Sequence, residues 1–134
     1  MSQPIWVPVR NIMRKEVTFI PGRTSVLEAM RVMKRVGATV LMVEKRDEQD
    51  EYGMVSFADI AKQVIGKDRA PERVNVYEIM AKPVLTVRPD MEIRYCSRLF
   101  ENFGISHAPV VEDGKIVGAV SFYRLVLHGL LPEL

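Results

Sequence analysis

Two tetrapeptides carry the side chains best suited to chemistry: Ser56-Phe57-Ala58-Asp59 and Ser121-Phe122-Tyr123-Arg124. In the first, a hydroxyl and a carboxylate three residues apart have the spacing of a helix capping box, each accepting from the other residue's backbone amide. The adjacent helix N-terminus favours anions. In the second tetrapeptide Arg124 stands where the carboxylate was. A cation in the first helical turn opposes the helix dipole, at a cost on the order of a few tenths of a kcal/mol when exposed. One reading is a solvent-exposed Arg at an unimportant position; the other is a guanidinium fork aimed at a phosphate.

Other reactive side chains are sparse. His107, His128 and the single cysteine, Cys96, form no metal or nucleophile spacing. No Gly-rich phosphate loop of the Walker or Rossmann kind is present. No catalytic residue, metal or obligatory cofactor is therefore expected. His107 on its own reads as a strand histidine satisfied by a backbone carbonyl. Tyr77, Tyr95 and Trp6 could stack on a base, but aromatic residues in a small core usually pack.

The net charge of +2, from 19 basic and 17 acidic residues, gives no field for nucleic acid or membrane. Arg10, Arg14 and Lys15 make only a small basic cluster. The segment Met1–Trp6 lacks the basic and apolar regions of a signal peptide. No apolar run approaches the ~20 residues of a membrane-spanning helix. A lone cysteine permits no internal disulfide, so a reducing cytoplasm is the expected location.

The elements that position these residues come from a repeat. Asn11-Ile12-Met13 returns as Glu78-Ile79-Met80, and Gly37 as Gly104, at an offset of 67. Gly53-Met54-Val55-Ser56-Phe57 returns as Gly118-Ala119-Val120-Ser121-Phe122 at 65, the difference falling in the charged loop Glu44 to Tyr52. A one-residue slip sets Thr18 and Pro21 opposite Thr86 and Pro89.

Each copy reads as βαββα. A short strand (Val17–Ile20; Val84–Val87) precedes a helix (about Ser25–Val36; about Glu92–Phe103) ended by Gly37 or Gly104. Val26, Ala29, Met30, Met33 and Val36 form the apolar stripe of the first helix; Ile93, Cys96, Phe100 and Phe103 form that of the second. Two strands follow, Thr39–Val43 with Tyr52–Ser56 and His107–Val111 with Ile116–Ser121, the latter joined at Asp113-Gly114. Helices near Phe57–Ile65 and Phe122–Leu131 close the copies. Met30, Met33 and Met42 are expected to fill core gaps. The fold class is α+β, with repeats at 9–66 and 76–131 and a connector at 67–75. A three-stranded sheet with two helices leaves one face uncovered, so the copies are expected to pack as a pair.

The run Gly104-Ile105-Ser106-His107-Ala108-Pro109-Val110-Val111-Glu112-Asp113-Gly114-Lys115-Ile116-Val117-Gly118-Ala119-Val120-Ser121 resembles the core of a CBS motif. Gly37 to Val43 is similar, with Met42 where the family has Pro. The resemblance covers roughly residues 9–131 and implies a pseudo-two-fold pair of CBS repeats, a Bateman module. It further implies a free-standing, non-catalytic sensor or adaptor that dimerises and acts on another protein. The implied ligand is an adenine nucleotide (AMP, ADP or ATP) or S-adenosylmethionine, held in a cleft between the repeats; a ligand-free dimeric scaffold is the alternative.

By the same resemblance Ser56 meets phosphate, Asp59 holds ribose hydroxyls, and the basic His107 approaches phosphates, whereas Arg124 departs from the family's Asp and its pairing with a phosphate is read from its own guanidinium. Thr18, Thr39, Thr86 and Ser106 line the cleft, Ser121 matches Ser56, and backbone groups of Val40–Met42 and Ala108–Pro109 read the adenine edge. With Asp59 in one copy and Arg124 in the other, one principal site centred on Asp59 is expected.

Overall fold

In the computed structural model, which describes residues 6–131, packing divides the chain into two units. One is Thr18–Val84; the other joins the described residues through Val17 to those from Leu85. Residues 1–5 of the Met1–Trp6 segment, read above as lacking the regions of a signal peptide, lie outside the described residues.

In the unit Thr18–Val84, β1 (Phe19–Ile20) leads to α1 (Val26–Val36), β2 (Val40–Val43), β3 (Gly53–Ser56) and α2 (Phe57–Ile60), which runs on as the π-helical turn Ala61–Ile65. Ser25 starts α1 by accepting from the Glu28 amide at 3.1 Å. Gly37 ends it at φ 70°, a left-handed conformation that a side chain resists. The sheet order is β1-β2-β3, with β1 parallel and β3 antiparallel to β2. Val26, Ala29, Val32 and Met33 of α1 are buried with Leu41, Val55, Ile60 and Val64. Fully burying a side chain the size of Met33 or Leu41 contributes roughly 1.5–3 kcal/mol. Met30, expected in that stripe, lies at its edge and is 38% exposed, and Val32 takes its place in the core.

The other unit holds α3 (Ile93–Phe103), β4 (His107–Glu112), β5 (Lys115–Ser121) and the π-helical turn Arg124–His128. Asp113 and Gly114 both have positive φ, 52° and 76°, as a two-residue hairpin turn requires. Phe100, Cys96, Val110 and Val120 centre the core; Phe103, the last residue of α3, is 61% exposed, against expectation. Glu92 replaces Ser25 as N-cap, and its buried carboxylate accepts from the amide and Nε of Arg94 at 3.0 and 2.9 Å.

The strand expected at Val84–Val87 does not form; Val87 makes a single parallel bridge to Val110. Pro109 is the cause. In the unit Thr18–Val84 the Met42 amide donates to the Thr18 carbonyl at 2.9 Å. Pro109 occupies the position of Met42 and has no N–H. The ladder is reduced to the two bonds of Val87, to Pro109 O at 3.1 Å and from Val111 N at 2.9 Å.

Each unit also borrows its Ile-Met segment from the opposite repeat of the sequence. Met54 and Ala81 exchange two backbone bonds of 2.9 and 2.8 Å, and Arg14 and Ala119 do the same at 2.8 and 2.9 Å. The close approach needs glycine. A Cβ on Gly53 would meet Met80 Sδ at 2.6 Å; one on Gly118 would meet Met13 Sδ at 2.7 Å and the Arg14 carbonyl at 2.9 Å.

Candidate ligand-binding site

In the unit Thr18–Val84 the expected site residues gather at one end of the β2–β3 ladder. Val40 lies opposite Ser56, and the Phe57 amide donates to the Thr39 carbonyl at 3.1 Å. Thr18 is tied to the same strand through Met42. Met42 is buried, Thr39 exposed, and Thr18, Val40, Ser56 and Asp59 are half-buried. The capping box is present: Ser56 Oγ accepts from the Asp59 amide at 3.3 Å. Asp59 Oδ2 in turn accepts from the Ser56 amide at 2.9 Å and from Ser56 Oγ at 3.0 Å. Both bonds that the carboxylate accepts end on Oδ2, so Oδ1 carries none from the described residues. The capping box therefore uses one oxygen of the carboxylate.

The matching residues of the other unit are arranged alike and equipped differently. His107 lies opposite Ser121, and the Phe122 amide donates to the Ser106 carbonyl at 3.2 Å. Ser121 Oγ accepts from the Arg124 amide at 3.3 Å. The Arg124 guanidinium is half-buried, donating from Nε to the Ile12 carbonyl at 2.7 Å and from Nη2 to the Met13 carbonyl at 3.3 Å. The reading of a solvent-exposed Arg fails: the side chain fastens the 3₁₀ turn Val9–Asn11 to the sheet. His107 Nδ1 lies 3.0 Å from Ser106 Oγ, and burial pushes its pKa below the ordinary value. Thr86 and Ser106 are exposed, and Ala108 and Pro109 are buried. Burial pushes the Cys96 thiol up to about 11, leaving it protonated and unreactive at neutral pH.

Trp6, Tyr77 and Tyr95 are 60%, 55% and 54% exposed, so none is the core packing expected of them. Sequence reasoning also missed Asp50. Its carboxylate holds Lys82 Nζ at 2.7 Å and Arg46 Nε at 3.2 Å, tying the β2–β3 loop to residue 82. The signal was faint, since the loop reads as an ordinary charged turn.

Among the described residues no group of three or more His, Cys, Asp or Glu is placed to hold a metal, and no helix is long and apolar enough to cross a membrane. The CBS-domain family model matches residues 9–66 and 76–129. The chain belongs to the CBS-domain family. It is a tandem CBS-domain pair with the α+β fold of such pairs. The protein MK0525 of Methanopyrus kandleri is 32% identical over 122 residues, 90% of this chain and 61% of that one. Homoserine O-acetyltransferase of Methanosalsum zhilinae is 33% identical over 85% of this chain, which spans 22% of the enzyme. The chain thus covers less than two thirds of either relative.

Among solved structures, the hexameric CBS-CP12 protein from bloom-forming cyanobacteria superposes with a TM-score of 0.89 at 35% identity, over 95% of this chain and 73% of that one. The CBS-domain pair of MJ0100, solved with 5′-methylthioadenosine and S-adenosyl-L-methionine, shares the fold with a TM-score of 0.76 at 24% identity, over 90% and 94% of the two chains.

Proposed function

We propose that this CBS pair is a non-catalytic regulatory module that binds an adenosyl-bearing ligand, AMP, ADP, ATP or S-adenosylmethionine, principally through Asp59. The carrying observation is the carboxylate itself, whose Oδ2 completes the capping box while Oδ1 accepts nothing from the described residues. Oδ1 accepts from a ribose hydroxyl; Thr39, Val40 and Ser56 lie at the same end of the ladder, and Thr18 is bonded to the same strand through Met42. The adenosyl class is the one carried by MJ0100, a pair of the same fold. The second repeat binds more weakly, because Arg124 has no carboxylate to offer and spends Nε and Nη2 on backbone carbonyls. Thr86, Ser106, His107, Ala108, Pro109 and Ser121 then serve as secondary contacts.

Thermal shift with AMP, ADP, ATP and S-adenosylmethionine is the test. A ligand that binds only the native state raises Tm by mass action, by several degrees at a hundredfold excess over Kd. Asp59→Ala should remove that rise. Silence at millimolar concentrations of all four would sink the reading.

The second reading, a ligand-free dimeric scaffold, is favoured by a different observation. The last helix of each repeat leaves apolar side chains exposed at equivalent positions, Phe57 and Ile65 (55% and 76%) in one, Phe122 and Leu130 (41% and 71%) in the other. A self-associating pair covers such faces. Ile65→Asp with Leu130→Asp should yield monomers by sedimentation, without altering nucleotide-induced shifts if the two readings are independent.

A further inference from the structure

The far end of the β2–β3 ladder holds a feature that the nucleoside chemistry at Asp59 leaves unused. A cavity of about 690 Å³ opens there within the unit Thr18–Val84. Its size falls in the range of roughly 300–1,000 Å³ typical of small-molecule sites. Val43, in the wall, pairs with Gly53 at the opposite end of the ladder from Val40 and Ser56. At about 3.4 Å per residue the two ends are on the order of 10 Å apart. The cavity is therefore distinct from the capping box.

Its walls are chemically lopsided. Arg23, Lys45, Arg46 and Lys82 converge on it, with Glu44 as the acidic residue of the lining. Behind them Asp50 is shared, taking Lys82 Nζ at 2.7 Å and Arg46 Nε at 3.2 Å. Lys45 Nζ rests 4.8 Å from the centre of the Tyr52 ring, and Arg23 has no ion pair among the described residues. Cations gathered around one concavity repel one another, and an anion entering it relieves that repulsion. A phosphate suits the place, since guanidinium and ammonium donors bind its oxygens with charge-assisted hydrogen bonds. Tyr77, more than half exposed on the cavity wall, adds a flat apolar surface beside these donors.

We propose that this cavity is a second ligand site, taking a small phosphate ester with a planar ring, its phosphates against Arg23 and Lys45 and its ring on Tyr77. It stands on residues independent of Asp59, so either site can fail without the other.

Calorimetry with inorganic pyrophosphate and with ADP tests it. Pyrophosphate should bind the unaltered chain and Asp59→Ala alike, and at least ten times more weakly when Arg23→Ala and Lys45→Ala are combined. The charge-keeping pair Arg23→Lys with Lys45→Arg should retain binding, which separates lost charge from lost fold. In the chain carrying Asp59→Ala, where ADP has only this cavity, Tyr77→Ala should weaken ADP several-fold and leave pyrophosphate unchanged. Three results would overturn the site: no pyrophosphate binding at millimolar concentration, equal affinity in the Arg23/Lys45 alanine variant, or loss of pyrophosphate on Asp59→Ala alone. Unchanged ADP affinity when Tyr77→Ala is added to Asp59→Ala would remove the ring from it.

Discussion

The two repeats build the same turn from backbone and fill it with opposite charges. In both, the first amide of the last helix donates to the residue just before or at the start of the middle strand, Phe57 to Thr39 and Phe122 to Ser106. In both, a serine hydroxyl accepts from the amide three residues on. Beyond that they part. Asp59 bonds locally, to Ser56, and keeps an oxygen available; Arg124 reaches back more than a hundred residues to the Ile12 and Met13 carbonyls. A duplicated scaffold thus divides its duties, one copy spending the variable position on a long-range tie and the other on a local cap, which under the proposed function leaves an oxygen for a ligand.

The glycines test how tightly that scaffold is shared. Gly118→Ala should be the most damaging of the substitutions considered, because the new Cβ would lie 2.9 Å from the Arg14 carbonyl, whereas one on Gly53 would lie 3.3 Å from the Ala81 carbonyl. A loss of about 3 kcal/mol in a urea melt is expected, against about 1–2 for Gly53→Ala, where Met80 can move aside. Equal losses would mean that the two straps are packed alike.

Arg124→Ala comes next. It strips partners from two part-buried carbonyls and should cost about 2 kcal/mol. Asp59→Ala loses a cap and should cost about 1 kcal/mol while abolishing any adenosyl-induced Tm shift. If Arg124→Ala were the milder change, the division of duties described above would be wrong.

Met42→Pro and Pro109→Met exchange the strand chemistry. The first removes the bond to Thr18 and should destabilise by about 1–3 kcal/mol. The second supplies an amide where there was none, and hydrogen exchange should find it protected if the absent N–H is what shortens the ladder. A fast-exchanging amide at position 109 would put the cause elsewhere.

The smallest effect concerns pH. The Lys82 ammonium, then the Arg46 amide, hold the Asp50 carboxyl well below the usual carboxylate range. The unfolded chain therefore takes up this proton at a higher pH than the folded chain does. The resulting stabilisation is complete above the ordinary carboxylate pKa of about 4 and fades as pH falls below it. Asp50→Asn should be less stable at neutrality, and its melts should converge with those of the unaltered chain toward about pH 2. Parallel curves through that window would deny Asp50 this role.

Most of the architecture was legible because it rests on local patterns. Ser25, Gly37, Gly104 and the Asp113-Gly114 turn marked element ends to within a residue. The Ser56–Asp59 box was legible for the same reason, its partners lying three residues apart. What escaped was non-local. A proline in one strand erased the neighbouring strand 22 residues earlier, since the missing bond belongs to a ladder and not to either segment alone. Arg124 could not be placed, because its carbonyl partners, Ile12 and Met13, lie just after the 3₁₀ turn Val9–Asn11, more than a hundred residues away. Repeat periodicity itself concealed the exchange of Ile-Met segments, by assigning each segment to the copy that follows it.

That exchange also sets an order of assembly. Thr18–Val84 is one unbroken stretch, whereas Arg14 must wait for Ala119. At synthesis rates of about 5–20 residues per second, the strap at Met13-Arg14 stays without its partner for several seconds after the central unit has everything it needs. A chain truncated after Asp90 should accordingly resist trypsin throughout the central unit yet be cut at Arg14 and Lys15. Protection of those two sites in the truncated chain would show that the strap finds another seat first. A repeated chain of this kind matures from the central unit outward, with the strap at Met13-Arg14 the last to be secured.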